Sequence, residues 1–180
     1  MDSVIGNKSG KVLLTMFSRN TNLLLAFLRD HNTARSVLDV FNDLYAMFGR
    51  ETYCRLFPVI LTDRGSEFSN PVPIEQDEND ELRSLVFYCN PSAPYQKGGI
   101  EVAHELVRRV LPKGKSFDDL QQEDIDLMLS HINSYKRGKL NSRSAYQLFN
   151  FIYGDDILPK LNIREIEAND IVLSPKLLKK

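Results

Sequence analysis

The stretch Phe57-Pro58-Val59-Ile60-Leu61-Thr62-Asp63-Arg64-Gly65 decides the fold. Residues 57–62 form a continuous apolar run, which suits a strand buried on both faces and therefore near the middle of a sheet. The run stops abruptly at Asp63-Arg64-Gly65. The Asp63 carboxylate should therefore project from the carboxyl end of that strand, where ligands of open α/β sheets collect. Taken alone, Asp63 is equally well explained as a turn-capping residue ahead of Gly65.

Working outward toward the amino end, apolar Val4-Ile5 is followed by the turn-forming Gly6-Asn7-Lys8-Ser9-Gly10 and then a strand-like run over 11–17. Ser18-Arg19-Asn20-Thr21 is a second turn before residues 22–29. The pattern predicts three consecutive antiparallel strands. Asn32 or Thr33 can cap a helix reaching about Phe48, with Val37, Leu38, Phe41, Leu44, Tyr45 and Phe48 at helical spacing and Gly49 at its end. Toward the carboxyl end, Pro71 and Pro73 mark a loop, residues 79–84 suit a short helix, and residues 85–89 read as a fifth strand stopped by Asn90-Pro91. A turn-rich loop over 91–99 precedes a helix over 100–111 that Pro112 halts, a longer helix over 118–137 and another over 144–153. Short pieces fill 157–180. The expected architecture is α/β: a mixed five-stranded sheet, three antiparallel strands and then two with helical crossovers, flanked by helices and followed by a helical C-terminal tail.

Composition bounds the function classes. Hydrophobic residues are 42% and charged residues 26% of the 180, ordinary for a globular protein. The longest apolar stretches, such as residues 23–28, are far too short to span a bilayer, and Met1-Asp2-Ser3 opens no signal peptide. Cys54 and Cys89 match no zinc or redox spacing and read as reduced thiols of a cytosolic protein. With 23 Lys and Arg against 24 Asp and Glu, total charge suggests no nucleic-acid partner. Its distribution says more: Lys97, Arg108, Arg109, Lys113, Lys115, Lys136, Arg137 and Lys139 collect in the second half, while residues 75–81 are an acidic, solvated run.

Two further carboxylates stand at element ends. Asp2 lies on the first short strand. Glu101 falls in the first turn of a helix, where the helix dipole favours a carboxylate whatever its function. Together with Asp63 they sit in three blocks: Asp2-Ser3-Val4-Ile5-Gly6, Leu61-Thr62-Asp63-Arg64-Gly65-Ser66-Glu67-Phe68 and Pro94-Tyr95-Gln96-Lys97-Gly98-Gly99-Ile100-Glu101. These closely resemble the signature blocks of the IS-thirty-type transposases, members of the DDE group with retroviral integrases. The segments His104 to Phe117 and His131 to Arg137 also resemble that family, and the 37 residues between Asp63 and Glu101 are close to its usual spacing.

The resemblance implies a ribonuclease H-like integrase core over 1–117 with a helical extension over 118–180 packed on it. It implies that Asp2, Asp63 and Glu101 are the catalytic acids and ligands of two Mg²⁺ or Mn²⁺ ions, used for DNA cleavage and strand transfer. Hard cations of this kind bind carboxylate oxygen, and a pair of them stabilises both oxygens of an in-line displacement at phosphorus. Three carboxylates so close would repel, so raised pKa values are expected without metal. Tyr95, Gln96, Lys97, His104, Arg108 and Arg109 become candidate DNA contacts, the two arginines to phosphates rather than bases. Glu67 is better explained as structural than as a spare ligand. The expected partners are transposon-end and target DNA and a second copy of the chain, with no membrane or small-molecule substrate; the expected location is the bacterial cytoplasm, at the nucleoid. Val102 and Ala103 depart from the family's polar pattern after the third acid. Relatives carry a helix-turn-helix part and a longer first strand ahead of the first acid, so the chain reads as a core fragment or a copy begun at an internal methionine. The alternatives are an inactive remnant serving only structure or dimerisation, and a metal-dependent nuclease of the same fold.

Overall fold

A computed structural model describes residues 1–7, 10–90 and 94–178. The expected turn at residues 8 and 9, part of the loop ahead of Tyr95 and the last two residues lie outside them. Strands β1 (Asp2–Ile5), β2 (Val12–Phe17) and β3 (Leu24–Arg29) form an antiparallel sheet in that order, with Asp2 opposite Thr15. Strands β4 (Val59–Thr62) and β5 (Leu85–Tyr88) pair in parallel.

The five expected strands are present with the expected directions, but they hydrogen-bond as two sheets rather than one. β1 meets β4 only near its amino end, where the Met1 amino group donates to the Leu61 carbonyl. Beyond that bond no ladder joins them, and a cavity of about 530 Å³ opens between Met16 and Phe17 of β2 and Val59, Ile60 and Leu61 of β4. β4 is consequently an edge: Ile60 is 7% exposed but Val59 is 58% exposed. The expectation that this strand is buried on both faces fails at Val59 for that reason.

Helix α1 (Ala34–Leu56) starts at Thr33, whose hydroxyl accepts from the Ser36 N–H. Gly49, at φ 72°, breaks the helical path where the sequence predicts an end, but helical turns resume beyond it and bury Tyr53. The short helix expected over 79–84 is replaced by α2 (Val72–Glu75), which holds Pro73 in its first turn, where a missing N–H costs nothing. Residues 79–84 instead follow a turn organised by Asp77, whose Oδ1 accepts from the N–H groups of Asn79 and Glu81.

Helices α3 (Gly98–Val110), α4 (Gln122–Ser134), α5 (Ala145–Tyr153) and α6 (Ile157–Lys160) complete the fold. α4 is shorter than the predicted 118–137 because Gln121 caps it and Tyr135 is already extended. It shields the outer edge of β3, a strand edge otherwise left with open N–H and C=O groups. Asn133 pairs with both backbone groups of Leu24, and Gln122 bonds the Leu28 N–H and the Ala26 carbonyl. One apolar core runs from Val4, Leu13 and Leu24 through Val37 and Phe41 of α1 to Val107 of α3, Ile125 and Met128 of α4, and Leu158 of α6. Among the described residues no helix is long and apolar enough to cross a membrane.

Candidate active site

Asp2 and Asp63 come from different sheets to the same place. Asp2 opens β1, and its Oδ1 accepts from the Ser3 N–H at 2.9 Å. Asp63 follows β4 at once, and its Oδ1 accepts from the Gly65 N–H at 3.0 Å in a tight turn. Each uses its other oxygen for one shared cation: Lys97 Nζ lies 3.1 Å from Asp2 Oδ2 and 2.9 Å from Asp63 Oδ2. Lys97 stands at the start of α3, and its side chain is only 14% exposed.

The electrostatics follow from this sharing. Burial pushes Asp63 up, but the bond from Lys97 and the Gly65 N–H outweigh it and hold the carboxyl below its ordinary value. That is opposite to the raised value expected for Asp63, because a cation already sits between the acids. Burial likewise pulls Lys97 down, while its bonds and charge contacts with Asp63 and Asp2 raise it overall, so it stays protonated.

Behind Asp2 lies a relay that the sequence did not announce. The Thr15 hydroxyl on β2 donates to the Asp2 carbonyl at 2.9 Å and meets His104 Nε2 of α3 at 2.8 Å. A hydroxyl has one proton, so with it given to Asp2 the imidazole must donate from Nε2. Burial lowers the His104 pKa, and the negative charge of Asp2 resists. A second network lies beneath: Arg29 donates to Ser3 Oγ and Asn32 Oδ1, and Asn32 donates to Glu67 Oε1. Burial pulls Arg29 down to about 10 against the pull of Glu67. Glu67 is thus engaged with Asn32, a structural use. Thr15 and Arg29 gave no sequence signal, while Ser3 stood out only as part of the first block and Asn32 only as a candidate helix cap.

The remaining candidates are dispersed. Glu101 is exposed on the first turn of α3. Among the described residues, no group of three His, Cys, Asp or Glu side chains is placed to hold a metal ion. Tyr95 is 78% exposed; Gln96 accepts from the Asn90 N–H at 2.8 Å. Arg108 donates to the Ile5 carbonyl and holds another guanidinium nitrogen buried without a partner, while Arg109 is exposed. The donor chemistry of Asp2 and Asp63 fits a hard divalent cation, since both present carboxylate oxygen and already share one positive charge.

The strand arrangement and helices make an α/β unit whose fold is like that of integrase catalytic cores. The chain superposes with a TM-score of 0.54 on the catalytic core domain of BIV integrase, at 20% identity, over 85% of this chain and 90% of that one. A simian T-cell lymphotropic virus intasome gives a TM-score of 0.57 at 16% identity, over 92% of this chain and 55% of that one. In sequence the chain is 28% identical over 149 residues to a putative integrase, ORF3, of Spiroplasma virus SpV1-R8A2 B, covering 83% of this chain and 44% of the relative. It is 24% identical over 149 residues to the transposase of insertion sequence element IS4351 of Bacteroides fragilis, covering 83% and 43%. Transposase InsI of element IS30A of Escherichia coli matches at 22% over 147 residues, covering 82% and 36%. The resemblance read from the three motif blocks is borne out by these relatives. The chain spans less than half the length of each of them. No protein-family model matches the chain.

Proposed function

We propose that this chain is the catalytic core of a transposase that cleaves DNA and joins the freed 3′ end to a target, with Asp2, Asp63 and Glu101 as its acids. The observation that carries the proposal is the shared cation of Asp2 and Asp63 within an integrase-core fold. Residues from two separate sheets bring two carboxylates to one shared cation. Asp2 and Asp63 would hold the metal, with Glu101 joining from α3. Mg²⁺ or Mn²⁺, bound as a pair, would supply charge stabilisation for attacking and leaving oxygens.

The chain's own residues supply the rest. The Gly65 N–H and the Ser3 N–H fix one oxygen of each aspartate, leaving the other free for a cation. Thr15 and His104 brace the Asp2 backbone between β2 and α3. Exposed Tyr95 and Arg109 are free to meet a DNA strand, with Gln96, Lys97, His104 and Arg108 nearer to protein partners until DNA arrives. Residues 1–117 form the catalytic unit in this reading and residues 118–180 a brace, and two copies act together on two DNA ends.

The test is a strand-transfer assay with an oligonucleotide carrying a pre-cut end, in Mg²⁺ or Mn²⁺. Joined product is expected, and Glu101→Gln should abolish it while circular dichroism stays unchanged. Joining that survives in Glu101→Gln removes Glu101 from the site; cleavage without joining favours a nuclease; neither activity favours a remnant with a structural role.

A further inference from the structure

We infer that Lys97 is a resident counter-cation of the Asp2–Asp63 pair, which an incoming divalent ion must evict, and that it thereby sets how tightly the site takes metal. The inference rests on the catalytic reading above and adds to it a specific role for one side chain.

The geometry carries it. Lys97 Nζ bonds the outer oxygen of both acids, at 2.9 and 3.1 Å, while their inner oxygens are already committed to backbone N–H groups. The oxygens free of backbone bonds are thus the oxygens Lys97 occupies. An ammonium and a divalent ion cannot share them, because both would stand between the same two carboxylates and repel each other. Lys97 interacts electrostatically with Asp2, Asp63, the Met1 amino group, which Leu61 holds, and His104. With two acids against one lysine, half of the pair's negative charge is neutralised in the apo site; without the lysine the two carboxylates would face each other unscreened.

The side chain is built to leave. Lys97 stands just ahead of the first turn of α3, and among the described contacts its ammonium is held only by the two carboxylates. Its four-carbon stem is flexible and its ammonium prefers water. The lysine can swing away without unwinding α3. A site that is open in only about a tenth of molecules binds its ligand about tenfold more weakly than the open form would. Lys97 is therefore a positioning residue that acts through the acids, and its charge rather than its shape should matter.

The experiment titrates Mn²⁺ alone into the whole chain, without DNA, by calorimetry, and records melting in EDTA and in Mn²⁺. Wild type, Lys97→Gln and Lys97→Arg are compared, each checked for fold by circular dichroism. Lys97→Gln should bind Mn²⁺ about tenfold more tightly, melt lower than wild type in EDTA, and gain more on adding Mn²⁺. Lys97→Arg keeps the charge and should bind as wild type does. Equal or weaker Mn²⁺ binding by a folded Lys97→Gln overturns the inference and leaves the catalytic reading standing. If none of the three proteins binds Mn²⁺, both fail together. If Lys97→Gln fails to fold, Lys97→Arg decides: Mn²⁺ binding much tighter than wild type despite the retained charge overturns the inference, and binding equal to wild type supports it.

Discussion

The Thr15 hydroxyl meets His104 Nε2 at 2.8 Å, tying the middle of β2 to the second turn of α3 directly behind Asp2. Thr15 is fully buried and also donates to the Asp2 carbonyl, so two polar groups depend on one hydroxyl. Thr15→Val, close in shape, should cost about 1–3 kcal/mol by leaving both without their partner. Urea denaturation measures it. A loss below the error of that measurement would mean that the relay contributes nothing to the fold.

Asn133 closes the edge of β3 by pairing with both the N–H and the carbonyl of Leu24. Asn133→Leu keeps the volume but strands both backbone groups in the interior. It should lower stability by roughly 2 to 4 kcal/mol, read from the urea midpoint. An unchanged midpoint would show that α4 holds β3 by apolar contact alone.

The His131 imidazole links α4 to the tail, its Nδ1 accepting from the Val172 N–H at 3.1 Å. Burial lowers its pKa, the charge of Arg164 lowers it further, and Asp170 opposes both. The unfolded chain, with histidine near its ordinary value of about 6.5, therefore binds protons more readily than the fold. The stabilisation is present above that value and is lost as pH falls through the lower folded value. Wild type should lose more melting temperature between pH 7.5 and 5.5 than His131→Gln does. His104 is shifted in the same direction, so the comparison between variants isolates His131. Identical losses would refute the assignment.

β4 offers a contrast between neighbours. Val59 is 58% and Ile60 7% exposed. Val59→Thr should change stability by less than about 0.5 kcal/mol, and Ile60→Thr should cost about 1–3 kcal/mol. Thermal melts of the two variants check this, and equal costs would argue that the cavity beside β4 closes in solution.

The apolar run ending at Asp63, the turns flanking 11–17 and the helical spacing of residues 34–48 determined five strands, their directions and the first long helix. Those are local properties: alternation, turn chemistry and capping are written within a few residues. The sequence also marked Asp2, Asp63 and Lys97 as residues of interest, because their blocks resemble a known family. It did not reveal that β1 and β4 would share a single hydrogen bond, since pairing between distant strands depends on how much of each lies alongside the other. Nor did it reveal that Lys97, expected at DNA, closes on Asp2 and Asp63, or that Thr15 supports Asp2 from β2. Those facts belong to tertiary structure alone: a cation's partners are the charges that folding brings near it, across 34 residues of chain to Asp63, and no pattern of spacing records that distance.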